Sequence, residues 1–181
     1  MIRRATPHDA PGIARVHVET WRDSYAGIIP DHTLLGLSET REAARQRQAL
    51  AALRDRSITL VAEVPGPGVI GYAEAGVARG AGLSFDAELY TLYVRPGFQG
   101  QGHGRALLAA AFQRLVQVGF QAALVWVLAE NPARFFYAAM GGAPIAIKTE
   151  RLFGVDLAQE GYGWPQLEGT MQLSGRISRR T

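Results

Sequence analysis

The sequence predicts a single α/β domain, one β-sheet with helices packed against it, on three observations. Segments of extended character alternate with segments of helical period along the chain from residue 2 to residue 164. No internal repeat or linker interrupts them, and 181 residues at 48% hydrophobic content supply one core rather than two. The clearest helical stripe, Leu107, Leu108, Ala111, Leu115 and Val118, follows directly on a strand and a glycine-rich turn.

Residues 2–5 read as a short first strand. Thr6-Pro7-His8-Asp9 then opens a helix, with a hydroxyl at the cap, proline at the first helical position and a carboxylate three residues after the cap. Ala10, Ile13, Ala14, His17 and Trp21 continue one face of it until residues 25–30 break the pattern. A second helical region, rich in alanine, arginine and glutamine, runs from Ser38 to Leu53. The period then changes. Ile58–Val64 is β-rich, Pro65-Gly66-Pro67-Gly68 turns, and residues 69–77 resume an extended pattern, so the two form a hairpin. After a loop at residues 80–82, Ala87–Val94 is a third long extended segment.

A helix over residues 102–118 ends at Gly119, and Ala123–Leu128 is apolar enough to be a strand covered on both faces. Residues 132–140 are helical and stop at Gly141-Gly142. Two extended segments, residues 145–153 and Val155–Trp164, complete the domain. The expected boundary lies at residue 165, with residues 166–181 an arginine-rich, partly disordered tail.

Composition excludes several chemistries. Without cysteine there is no disulfide, thiolate nucleophile or cysteine-ligated metal. The four histidines show no metal-binding spacing, so no metal is expected, and His17 on an apolar helix face reads as a satisfied core residue. The longest apolar run, residues 122–129, is far short of a bilayer span. The N-terminus turns polar after Met1-Ile2-Arg3-Arg4 with no signal-like segment, so a soluble, cytoplasmic protein without a membrane partner is expected. A net charge of +3, carried by arginine with Lys148 the one lysine, suits phosphate-bearing ligands. No nucleic-acid-binding signature accompanies it, and none is expected as a partner.

The most informative segment is Gln99-Gly100-Gln101-Gly102-His103-Gly104, between a strand and a helix. Such a turn directs several backbone N–H groups to one point, and the helix dipole adds partial positive charge there. A P-loop would need lysine and a hydroxyl after the last glycine, where Arg105-Ala106 stand; a dinucleotide fingerprint would need glycine where Arg105 stands. What fits is Gln-x-x-Gly-x-Gly, carried by Gln99, Gly102 and Gly104 after the strand end Leu92-Tyr93-Val94-Arg95-Pro96.

On that motif and on element order from Ile2 to Trp164, the chain resembles the GNAT N-acetyltransferase superfamily. The resemblance implies a central mixed, mostly antiparallel sheet of about six to seven strands flanked by helices. It implies acetyl-CoA as co-substrate and a primary amine, on a small molecule or a protein, as acceptor. The turn, with His103 contributing its backbone N–H, would wrap the coenzyme A pyrophosphate. The Leu92 N–H would face the thioester carbonyl, Val94 would pair with the pantetheine amides beside Tyr93, and Asn131 would bind the pantetheine arm. Tyr137, six residues on, would give a proton to the departing thiolate.

Other roles stay open. Glu88 is the leading candidate for the base, on the reading that Glu88, Tyr90, Leu92 and Val94 share one strand face; Glu74 is the reserve, and a water chain the third possibility. Arg105 and Arg134 are either phosphate ligands or solvated helix residues. Trp21, Tyr25 and Tyr90 are either walls of the acceptor site or core. A non-catalytic acyl-CoA sensor is the main rival function; it would keep the turn and dispense with Tyr137 and a groove carboxylate. Monomer and homodimer both stand, since a late exposed strand can pair between subunits.

Overall fold

The computed structural model describes residues 1–52, 56–80 and 84–168. Its strands are β1 (Ile2–Arg4), β2 (Ile58–Val64), β3 (Gly68–Val77), β4 (Ala87–Val94), β5 (Ala123–Leu128), β6 (Ala143–Leu152) and β7 (Val155–Trp164). The helices are α1 (Ala10–Ser24), α2 (Asp31–Leu35), α3 (Glu39–Ala51), α4 (His103–Gln117) and α5 (Ala133–Ala139). One seven-stranded sheet runs in the order β1-β2-β3-β4-β5-β7-β6. Every neighbouring pair is antiparallel except β4–β5, which the α4 crossover makes parallel.

Helices cover both faces. On one, Ile13 and Val16 of α1 meet Val61 and Tyr72 of the sheet. On the other, Leu107, Leu108, Ala111, Phe112 and Leu115 of α4 pack on Leu60, Ile70, Leu89 and Val125 in the larger core cluster. The expected stripe of α4 is buried except at its end, where Val118 is exposed beyond the last turn and Phe112 takes its place. Truncating Leu107, which is fully buried, to alanine is expected to cost about 2–5 kcal/mol, checked by urea unfolding.

The cap expected before α1 is present in a tighter form. A 3-10 turn over Pro7–Asp9 precedes the helix, the Thr6 N–H donates to Asp9 Oδ2 at 2.8 Å, and Arg3 forks onto the same carboxylate. That guanidinium, with the hydrogen bonds from Thr6, holds the Asp9 carboxyl well below its ordinary range. Short α2 has no apolar period of its own and lies just after the expected break at residues 25–30, where no element was expected.

Two expectations change. The core reaches past residue 165: Leu167 is fully buried and its N–H bonds to Gln121 O at 2.9 Å, while residues 169–181 of the expected tail lie outside the described residues. Residues 81 and 82 of the expected loop, and the predicted helix end at Leu53, also lie outside them. The faces of β4 differ as well. Glu74 pairs with Thr91 and Ala75 with Leu89, leaving Tyr90 as an extra bulged residue. Ala87 and Leu89 before the bulge, and Leu92 and Val94 after it, therefore all belong to the α4-side core. Glu88 does not share their face.

Candidate active site

The bulge and the parallel pairing together open the sheet. The β4–β5 ladder consists of Ala87 with Ala123 and Glu88 with Leu124, and goes no further. Beyond it the strands splay, although β3 stays paired to β4 and β7 to β5 as far as Leu128. A cavity of roughly 890 Å³ occupies the opening. Leu92, Tyr93 and Val94 line it from one strand, and Val125 to Leu128 from the other.

One end of the cavity is the glycine-rich turn. Gln99, Gly100, Gly102, Gly104 and Arg105 line it there. Gly100 and Gly102 have φ of 72° and 85°, the left-handed region that glycine enters without strain, and a Cβ on either would stand in open space. The first turn of α4 bonds from Ala106 N–H to Gly102 O, so the N–H groups before Ala106 have no acceptor within their own helix. Gln99 Nε2 donates to Val94 O at 2.9 Å, and Gln101 Nε2 to Gly97 O at 3.1 Å, tying the turn to the end of β4. His103 opens α4 as its first residue. Main-chain donors without a partner in their own helix, a helix N-terminus and open space at the glycines make this turn suited to an anion.

The wall beyond the turn comes from the segment after β5. Asn131 is buried; its Oδ1 accepts from the Ala133 N–H at 2.8 Å, holding the start of α5, and its side chain also bonds to Tyr25. Tyr137, on the buried face of α5, lines the cavity and packs edge-on against Phe136 and Trp164. Burial drives its phenol well above the ordinary tyrosine range, so it stays protonated at any physiological pH. Phe136 reaches the turn as well, 3.6 Å from where a Cβ on Gly104 would lie.

The α1 side carries aromatic groups. Trp21 and Tyr25 line the cavity with Thr20, Ile29 and Tyr90, facing Leu152 and Phe153 from the tip of the β6–β7 hairpin. Tyr25 and Tyr93 share a hydroxyl–hydroxyl bond of 3.1 Å, and burial raises both phenols. His17 is a core residue, as its face suggested: it lies within hydrogen-bond distance of the Tyr72 hydroxyl, 2.9 Å, and stacks on Trp21, while burial lowers its pKa.

The two carboxylate candidates separate here. Glu88 does not line the cavity. It is 3% exposed, and its oxygens accept from the Arg79 backbone N–H at 2.9 Å and from the Arg79 guanidinium at 2.6 and 3.2 Å. The bulge explains the difference from the expected geometry, because one inserted residue exchanges the two faces of a strand. Glu74 stands on the α3 side and hydrogen-bonds Thr91, a cavity residue, and Gln46. Burial raises its pKa against the lowering pull of Arg45. Arg134 is likewise outside the lining: it pairs with Glu160 at 2.9 Å and lies over the Phe135 ring. Arg105 remains in the wall, at the turn.

Thr91, Gln159, Leu152 and Phe153 are cavity residues that sequence reasoning missed. Thr91 is placed by its pairing with Glu74, visible only once the bulge is known, Gln159 by its pairing with Leu128, and Leu152 and Phe153 by the turn of the β6–β7 hairpin. Among the described residues no group of His, Asp and Glu is placed to hold a metal ion.

Comparison with known proteins agrees with this geometry. The model of the acetyltransferase (GNAT) family matches residues 18–141, which include the C-terminal half of α1, the glycine-rich turn and Tyr137. The chain is 35% identical over 175 residues to YuaI, an uncharacterized N-acetyltransferase of Bacillus subtilis (strain 168), covering 97% of this chain and 98% of that one. Among solved structures it is similar to YncA from Salmonella typhimurium with its cofactor acetyl-CoA: 25% identity, TM-score 0.65, 92% of this chain and 93% of that one. The fold also matches PaiA N-acetyltransferase from Thermoplasma acidophilum in complex with coenzyme A, at TM-score 0.60 and 23% identity, over 88% of this chain and 96% of that one.

Proposed function

From the premise that this chain belongs to the acetyltransferase (GNAT) family, we propose that it moves an acetyl group from acetyl-CoA to a primary amine by direct attack while both are bound. One observation carries this reading: a single cavity joins the diphosphate cradle to a buried, protonated Tyr137 through the gap between β4 and β5. The residues fit acetyl-CoA in shape and chemistry. The cradle suits its diphosphate, the splayed strand edges suit the amides of its pantetheine arm, and Arg105 at the cradle suits a phosphate. When bound, acetyl-CoA supplies an activated acyl group and a thiolate leaving group.

The chain's own residues have three tasks. Tyr137 holds a proton beside the place where the thiolate departs; its raised pKa keeps the phenol protonated, so that it stabilises the thiolate as a hydrogen-bond donor. The unpaired edge of β4 past Glu88, with Leu92 in it, offers main-chain donors to a carbonyl oxygen gaining charge. Glu74 takes the proton that the acceptor ammonium must lose. An alkyl ammonium of pKa ~10 is neutral in only about one molecule in a thousand at pH 7. A buried carboxyl with a raised pKa is a stronger base than an exposed one, and the Thr91 hydroxyl connects Glu74 to the cavity.

Glu74→Gln is expected to lower kcat at least tenfold near neutral pH and to remove the acidic limb of the kcat profile. That limb should lie above the ordinary carboxylate range, because the folded-state pKa is raised. The sign for stability is opposite. A carboxyl whose pKa is higher folded than unfolded disfavours the fold above its folded pKa and not below its unfolded one, so Glu74→Gln should raise Tm at pH 8 and not at pH 3.5. Glu88→Gln should do the reverse in kind: Tm falls as the Arg79 clamp is lost, and the acidic limb stays. A limb that disappears in Glu88→Gln and survives in Glu74→Gln would reassign the base.

A panel of amines with acetyl-CoA held fixed tests the function itself, with thiol release and product mass as readouts. Initial rates should give intersecting double-reciprocal lines. Parallel lines, or an acetylated enzyme formed as fast as turnover, would contradict direct attack.

A further inference from the structure

The β6–β7 hairpin turns on Phe153 and Gly154, whose φ values are 54° and 81°. Two successive left-handed residues are what a two-residue hairpin needs, and asparagine, aspartate or glycine ordinarily takes the first place. Phe153 is the one non-glycine residue with positive φ among the described residues. A bulky side chain there is strained, and such strain persists where it serves a site.

The ring shows what is gained. It meets Trp21 of α1 edge-on, with centroids 5.7 Å apart and planes at 88°, and both residues line the cavity. Trp21 is itself fixed by His17, stacked at 4.8 Å, and by Tyr25 at 5.1 Å. The hairpin tip and α1 therefore touch across the α1 side of the cavity. A peptide entering there by its N-terminus would have to pass its following residues between two rings already in contact.

Charge points the same way. Of the described residues that line the cavity none is acidic, and Arg105, at the cradle, is its one charged side chain. With Glu74, reached through Thr91, taken up by the reacting nitrogen, a polyamine would leave its remaining ammonium groups without a carboxylate in the cavity wall. An amine with a single nitrogen on an apolar frame meets no such cost, and its frame fits Trp21, Ile29 and Leu152.

We propose that Phe153 and Trp21 form an aromatic cap that selects small monoamines with an apolar or aromatic frame and rejects polyamines and peptide N-termini. The proposal rests on the acetyltransferase reading above and names its acceptor class. Phe153→Asn tests it, since asparagine suits the left-handed position and replaces the ring by a short carboxamide that cannot reach Trp21 as the ring does. With the full-length protein and saturating acetyl-CoA, kcat/KM is measured for phenethylamine, isoamylamine, spermidine and an alanine-initiated hexapeptide. The intact protein should favour phenethylamine at least tenfold over spermidine and the peptide. Phe153→Asn should keep or raise Tm, raise KM for phenethylamine about tenfold with kcat within twofold, and narrow that preference.

Spermidine or the peptide as the best acceptor would overturn the proposal, as would an unchanged ranking in Phe153→Asn. Turnover of no amine at all would refute the acetyltransferase reading instead. Calorimetric titration of phenethylamine into the CoA-loaded protein would then decide the cap: binding that Phe153→Asn weakens supports it, and no binding overturns it.

Discussion

Tyr137→Phe is expected to lower kcat by roughly a hundredfold while leaving the Kd for acetyl-CoA within about twofold, the range in which one positioned acid acts. The substitution removes one oxygen from a ring otherwise held by Phe136, Trp164 and Tyr162, so packing survives. No part of the cradle changes. Equal losses in rate and affinity would instead mark a packing residue. The pH profile gives a second readout. Because burial raises the phenol's pKa, the intact protein should show no loss of kcat from tyrosine ionisation up to pH 10. A fall between pH 8 and 10 that vanishes in Tyr137→Phe would contradict the proposed proton donor.

The second large effect is expected at the cradle. Gly102→Val should weaken acetyl-CoA binding at least thirtyfold, measured by calorimetry, and lower kcat/KM to match. Two causes combine. At φ 85° a β-branched residue is strained, and its side chain would project into open space that an anion needs. They can be separated. Gly102→Ala carries most of the backbone cost, about 1–2 kcal/mol, and adds only a methyl. Since no protein atom lies within 4 Å of a Cβ at this position, Gly102→Ala should lose no stability by internal clash. An affinity loss in Gly102→Val no larger than its stability loss would mean that the turn merely joins strand to helix.

Much of this architecture was legible from residues alone. Strands β2, β4, β5 and β7 occupy the ranges that alternation and apolar runs indicated, because strand period and turn chemistry are local signals. The glycine-rich turn was legible for the same reason: left-handed backbone and helix N-terminus are both encoded within Gln99 to Gly104. The expectation that Glu88 shares the face of Leu92 and Val94 does not hold, and the reason is physical. Alternation fixes a face only while the count is unbroken, and the bulge at Tyr90 is set by how β3 and β4 pair. No residue of β4 announces it. Below the bulge Glu88 turns to Arg79, and across it Thr91 brings Glu74 to the cavity.

Phe153 illustrates the other limit. A phenylalanine before glycine between two extended segments signals a turn, but not what that turn touches. Its contact with Trp21 joins residues far apart in the chain and depends on β7 pairing with β5, which carries the hairpin back over α1. Arg134 shows the same limit: its helix is evident in the sequence, its ion pair with Glu160 is not. Local chemistry thus marks the proposed cofactor cradle and the proposed acid, while the proposed base and acceptor wall depend on long-range pairing.

The measurement closest to the central claim is a crystal structure of the chain soaked with acetyl-CoA. The diphosphate is expected against the main-chain N–H groups around Gly102 to Arg105, the pantetheine arm in the gap beyond the Glu88–Leu124 pair, and the sulfur beside the Tyr137 hydroxyl. Ligand density lying elsewhere on the surface, with the β4–β5 gap closed by its own side chains, would contradict it.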